Sequence, residues 1–215
     1  MESGLRGVSY FEITVAGPGK DLHSGLFGGT LYEPMTDLVH LMGSLVQPNG
    51  TINIPGIMDQ VAPLTMDEEK LYGNLSFTMQ ELYNALGSTT SIHENDKDTL
   101  MHKWRYPSLS LHGIEGAFSA SGSKTVIPAK VKGKFSIRSV PDMDPEQVTK
   151  LVQNYLSSVF ANLKSKNEFN VICLHGGKPW TTSVDHYNFV AASKAIEEVF
   201  GVKPDFTREG LLSLN

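Results

Sequence analysis

Seven histidines, His23, His40, His93, His102, His112, His175 and His186, are the side chains of this 215-residue chain best suited to proton transfer or metal binding near neutral pH. A histidine-carboxylate metal site needs its ligands at helical or turn spacing, as in His-Glu-x-x-His. Neither that motif nor His-x-Asp occurs. His40 has Gly43 and Ser44 at its i+3 and i+4 positions, and neither is a ligand. Asp67-Glu68-Glu69 has no histidine beside it and reads as a solvated helix start. No metal-ligand set is therefore expected within these residues. A Gly-x-Ser-x-Gly elbow and a P-loop are also missing, so no serine, cysteine or phosphate-cradling chemistry is indicated.

Three short segments carry more specific chemistry. Asp21-Leu22-His23-Ser24-Gly25 puts a histidine in a glycine-rich stretch, where it can face solvent and donate or accept a proton. Lys124-Thr125-Val126-Ile127-Pro128 leads into the strand that holds Arg138. A hydroxyl and a planar, two-pronged guanidinium together suit a carboxylate. Leu174-His175-Gly176-Gly177-Lys178-Pro179-Trp180 follows a histidine with two glycines, which let a ligand approach the backbone closely. Taken singly, each has a plainer reading: an exposed loop histidine, a strand-surface ion-pair arginine, and a strand exit with a packed tryptophan.

The elements that must position them are legible from periodicity. Gly7 to Val15 reads as a strand, and Ala16 to Thr30, with five glycines and a proline, as a loop. Leu31 to Val46 has helical apolar spacing, and Thr51 to Ile54 reads as a short extended piece. Met66 to Leu86 is weakly helical with a break at Gly73-Asn74, and Ser88 to Lys97 reads as loop. Pro107 to Ile114 and Lys130 to Val140 read as strands, the second with a bulge or strand start expected around Gly133. Asp144-Pro145-Glu146-Gln147 predicts a capped helix start, with Asp144 accepting from the first turn and Gln147 reaching back. Glu168 to Leu174 reads as a strand and Tyr187 to Phe200 as a helix stopped by Gly201. This order predicts an α+β fold: a two-layer sandwich with helices on one face of an antiparallel sheet, in a split βαβ layout.

Composition narrows the function classes. Hydrophobic residues make up 40% and charged residues 19%, which argues against disorder. Eighteen Lys plus Arg against 23 Asp plus Glu leave a charge of -5, a poor basis for nucleic-acid or membrane-surface binding. The lone Cys173 rules out an internal disulfide and a thiolate zinc cluster. Without an apolar segment near Met1, a cytoplasmic location is expected. Asn49-Gly50-Thr51 and Asn74-Leu75-Ser76 match the glycosylation triplet and carry little weight without a secretion signal.

The three chemical segments, with Trp104-Arg105-Tyr106-Pro107-Ser108-Leu109-Ser110-Leu111-His112-Gly113-Ile114-Glu115-Gly116-Ala117-Phe118 and Gly133-Lys134-Phe135-Ser136-Ile137-Arg138, resemble the M20 metallopeptidase family. Within it they are most similar to the carnosine dipeptidase group, on the side of the cytosolic non-specific dipeptidases. The likeness runs from about Leu5 to Gly210. It implies a ferredoxin-like lid and dimerisation domain over 5–175, and the start of a returning catalytic segment over 176–215. It implies dipeptide hydrolysis by a complete enzyme that uses two divalent ions, zinc or manganese. The family's metal-ligand motifs lie outside the lid, and none is found here, so the chain alone is expected to be inactive.

Carried over by position, His23 resembles the lid histidine that reaches the neighbouring subunit's active site and hydrogen-bonds the scissile carbonyl. Thr125 and Arg138 resemble residues that bind substrate across the dimer, Arg138 through the terminal carboxylate. His175 resembles a hinge histidine that contacts substrate within its own subunit. A homodimer is implied, with pairing to a full-length subunit as a further option, and a non-catalytic pairing module is the alternative function. After Thr207-Arg208-Glu209-Gly210 the family continues with glycine, serine and Ile-Pro. This chain reads Leu211-Leu212-Ser213-Leu214-Asn215, so the returning half is expected to be missing.

Overall fold

The structure, a computed structural model, describes residues 1–73 and 75–209, with the side chains of Asp67, Arg208 and Glu209 outside that description. The Asn74 triplet, the break at Asn74 and the divergent residues 210–215 therefore lie outside the described residues.

The elements run β1 (Glu2–Leu5), β2 (Gly7–Ala16), β3 (Leu22–His23), α1 (Ser24–Phe27), α2 (Pro34–Leu45), α3 (Met66–Gly73), α4 (Met79–Leu86), α5 (Asp96–Trp104), β4 (Ser108–Glu115), β5 (Val126–Ile127), β6 (Lys130–Ser139), α6 (Pro145–Leu163), β7 (Glu168–Gly177), β8 (Trp180–Thr181), α7 (Tyr187–Phe200) and β9 (Thr207–Glu209). The main sheet is antiparallel with strand order β4-β6-β2-β7. Helices α2 and α6 cover one face of it. This is the expected α+β sandwich. A core of Phe11, Ile13, Val15, Val131, Phe135 and Ile137 from the sheet meets Leu38, Leu41 and Leu45 of α2 and Val148, Val152 and Leu156 of α6. Alternation then puts Tyr10, Glu12, Lys132, Lys134, Ser136 and Arg138 on the opposite, helix-free face.

Sequence and structure part at several places. Gly133 is not a bulge, for it pairs with Ile13 in an unbroken β2–β6 register. A Cβ there would lie 2.5 Å from Met42 Sδ and 2.9 Å from Leu38 Cδ1, so the glycine is what lets α2 settle onto β6. The bulge falls on β4, between Leu111 and Gly113. Asp144 and Gln147 make no side-chain cap; Pro145 alone marks the start of α6. Helix α2 begins at Pro34, three residues later than its apolar pattern. Thr51 to Ile54 contributes only a bridge, Ile52 to Val46. Ala16 to Thr30 contains β3 and α1. Helix α5 is absent from the sequence reading; its weak amphipathicity hides it, although Asn95 caps it by accepting from Asp98 N–H at 2.9 Å.

The chain's two ends meet in a second sheet, order β8-β1-β9, with β1 parallel to β9. Helix α7 has no buried residue, and Val199 and Phe200 stand exposed, while Phe189 leans on Phe206.

The helices between α2 and β4 have their own small core of Tyr72, Leu100, Met101 and Trp104. At its margin His93 stacks on His102 with ring centroids 3.9 Å apart. Burial, then the nearby His102, hold His93 below the ordinary histidine pKa, with Asp98 opposing weakly. The unfolded chain therefore takes up this proton at a higher pH than the folded one. Stability is expected to fall as pH drops through the ordinary histidine value, with the loss complete below the lowered folded value. Denaturant titrations from pH 8 to 5 check this, and His93→Gln should remove that part of the slope.

Candidate functional site

The Asp21 to Gly25 segment is built as a small ribbon rather than a free loop. Leu22 pairs with Ile127 and His23 with Val126. Asp21 Oδ1 accepts from Ala129 N–H at 2.9 Å, and Thr125 O accepts from Ser24 N–H at 2.9 Å. His23 then caps α1: its Nδ1 accepts from Gly25 N–H at 3.0 Å. That bond sets the tautomer. With Nδ1 accepting, the neutral ring carries its proton on Nε2, which lies 3.1 Å from Thr125 Oγ1. His23 is exposed, so the structure presents a fixed imidazole N–H donor to solvent beside a hydroxyl. His23 and Thr125, 102 positions apart in the chain, are thus brought together.

Arg138 and His175 form a second group, at the other end of the sheet. Arg138 pairs with Val8 and with Ser108, and His175 pairs with Tyr10, the neighbouring row on the same face. Arg138 lies eight positions along β6 from Lys130, beside the ribbon, a span of about 26 Å. Of the four expected site residues, His23 and Thr125 are therefore in contact, while Arg138 and His175 stand toward the far end of the sheet on β6 and β7, with β2 between them. Arg138 is half-buried and has no carboxylate within ion-pair distance among the described residues.

Sequence reasoning passed over the side chains between these groups. The bulge on β4 turns His112 so that its ring lies parallel to Tyr10, 5.5 Å away, and its Nε2 is 2.8 Å from Ser136 Oγ. A second bulge, on β7 between His175 and Cys173, flanks the same Tyr10–Ser136 row. His112 stood inside a quoted motif, but nothing short of the strand register separates it from the other six histidines.

Among the described residues no three His, Cys, Asp or Glu side chains converge as a metal site would require. The described residues do not fit a divalent ion.

Comparison with known proteins matches residues 3–164 to the peptidase dimerisation domain of M20 peptidases. The Cys-Gly metallodipeptidase dug1 of Schizosaccharomyces pombe is 58% identical over 207 residues, covering 96% of this chain and 44% of that protein. The solved structure of the di-peptidase Dug1p from Saccharomyces cerevisiae superposes with a TM-score of 0.93 at 52% identity, over 98% of this chain and 44% of that one. Human carnosine dipeptidase 1 superposes with a TM-score of 0.90 at 46% identity, over 97% and 44%. The chain spans a little under half the length of these relatives. A domain match over three quarters of the chain, relatives at this identity and a superposable fold agree: the chain belongs to the M20 metallopeptidase family and carries its dimerisation domain.

Proposed function

We propose that this chain is the dimerisation and substrate-capping portion of a metal-dependent dipeptidase, and that it completes an active site only across a two-fold axis. One observation carries the reading: the β3–β5 ribbon that holds His23 and Thr125 adjoins one end of the main sheet, while Arg138 and His175 stand toward its other end. Antiparallel pairing of two copies through the free edge of β4 lays the end of one strand against the start of the other. The partner's ribbon then falls at the end of the sheet where Arg138 and His175 stand. Two features support that edge. Leu111 and Ile114 on β4 are exposed, and so is Val39 on α2, the helix packed over β6. Exposed apolar residues beside an unpaired edge strand mark an association surface.

In this reading residues 5–175 act as the lid and 176–215 open a returning catalytic segment. His23 Nε2–H is the donor that stabilises negative charge growing on the scissile carbonyl oxygen, and Thr125 holds the ring until substrate replaces it. Both act in the neighbouring subunit. Arg138, which the resemblance puts across the dimer, lies at the end of the sheet away from His23 and in this reading takes the terminal carboxylate as a two-pronged donor in the chain's own subunit, where His175 also contacts substrate. Two divalent ions, zinc or manganese, belong to the complete enzyme. The chain alone, supplied with either metal, is expected to turn over no dipeptide above a blank. The cytoplasm is the compartment of this reading, with neither nucleic acid nor membrane as a partner; no described helix is long and apolar enough to cross a bilayer.

Sedimentation tests the pairing. The chain should run as a dimer at micromolar concentration, as expected of an interface burying on the order of 1,200–2,000 Å². Leu111→Lys with Ile114→Lys should shift it to monomer with an unchanged circular dichroism spectrum. A wild-type chain that stays monomeric at high micromolar concentration overturns the edge assignment. The exposed Val199 and Phe200 of α7 favour a second reading, a non-catalytic module that pairs with full-length subunits and lowers their activity.

A further inference from the structure

We propose that Arg6 is a positioning residue for Arg138, and that the two guanidiniums together form the receptor for a substrate carboxylate. The inference rests on the reading of Arg138 given above. Arg6 is the single residue between β1 and β2, where the chain passes from the small sheet to the main one. Its side chain is buried, and all its acceptors are neutral oxygens. Nη1 donates to Lys103 O at 2.9 Å, and Nη2 to Tyr106 O at 2.9 Å and Ser108 Oγ at 2.8 Å, with Arg138 O at 3.4 Å. Its Nε is buried without a partner among the described residues.

Two consequences follow. First, Ser108 and Arg138 are register partners on β4 and β6. Arg6 therefore grips both strands at the row that carries Arg138, and ties that row to the end of α5. It fixes the base from which the Arg138 side chain projects. Second, a buried cation with only neutral partners is an uncompensated charge. Burial first, then repulsion from Arg138, push the Arg6 pKa down to about 10. Neither guanidinium has a carboxylate within ion-pair distance among the described residues. An arriving carboxylate relieves the repulsion and supplies the missing counter-charge, whereas a neutral amide of the same shape does neither. A purely structural clamp would hold the strands together without such discrimination.

The test uses this chain and two small probes, N-acetylglycine and N-acetylglycinamide, followed by NMR at the Arg138 side-chain Nε–H and at the backbone amides of Ile137 and Ser139, which still report when Arg138 is replaced. The carboxylate should give a saturable shift at those signals, weakened by added salt, and the amide none. Arg6→Lys keeps the charge but loses the planar fork, and should weaken carboxylate binding roughly fivefold; Arg6→Met loses both and should weaken it about tenfold or more. Ser108→Ala removes one contact without leaving a charge unpaired, so it guards against variants that fail to fold. It should weaken binding about twofold, with the backbone amide spectrum unchanged. Carboxylate binding that disappears in Arg138→Met but is untouched by folded Arg6→Lys and Ser108→Ala overturns the role of Arg6 and leaves that of Arg138 standing. Binding that survives Arg138→Met, or no carboxylate preference in the wild-type chain, overturns both.

Discussion

Co-expressed with a full-length family dipeptidase whose residue aligned with His23 is replaced by alanine, this chain is expected to restore dipeptide hydrolysis, and its own His23→Ala variant is not. Nδ1 of His23 is occupied by Gly25 N–H, so Nε2–H is the donor, and it points to the exposed Thr125 hydroxyl. An oriented donor at a developing oxyanion contributes about 10²–10³ in rate. In a mixed dimer the chain supplies this donor to the partner's complete catalytic domain, and the defective partner supplies everything else. The restored rate should therefore drop about 10²–10³-fold in His23→Ala and less in Thr125→Val, which removes only the group holding the ring. Co-purification must first show that the mixed dimer forms. A mixed dimer that forms and stays as inactive as the defective parent refutes the assignment of His23. A wild-type rate with His23→Ala refutes it equally.

Phe135→Ala is expected to cost about 3–5 kcal/mol of stability. Phe135 is fully buried on β6, where its ring stacks on Phe11 across the strand pair with centroids 5.0 Å apart. Below them α2 and α6 close the core. The cavity left by a missing ring cannot collapse, because the β2–β6 register is continuous from Gly7 to Ala16 and fixes both strands. β6 also links Thr125 at one end to Arg138 at the other, so loosening its middle disturbs both halves of the proposed site. Urea denaturation of wild type and variant at equal protein concentration measures the loss. A change below about 1 kcal/mol would mean that this part of the sheet is not the cooperative core.

Local interactions explain what the sequence made legible. Helix α6 shows an unbroken apolar stripe and a proline at its first turn, and α7 a glycine just past its end. Strands β2 and β6 alternate cleanly because one face is buried. Helix α5 was missed because its polar residues dominate and its small core is assembled from Tyr72 and Trp104, 32 positions apart. Gly133 was misread for a related reason: the atoms that forbid a side chain there, Met42 Sδ and Leu38 Cδ1, belong to another element.

The candidate site divides in the same way. Motif chemistry by itself drew attention to three segments, a solvent-facing histidine, a hydroxyl with a guanidinium that suits a carboxylate, and a histidine before two glycines; the roles of His23, Thr125, Arg138 and His175 came from the family resemblance. Only the tertiary structure decided which of them stand together. Strand register, set by core burial on one face, places Arg138 with His175 and leaves His23 with Thr125 at the far end. It also brought in Arg6 and His112, whose neighbours in sequence say nothing of their roles. Arg6 acquires its role from oxygens about a hundred residues away, and His112 from a bulge that turns it onto Tyr10. Side-chain chemistry is a property of residue type and can be read locally, whereas proximity is a property of the packed chain and cannot.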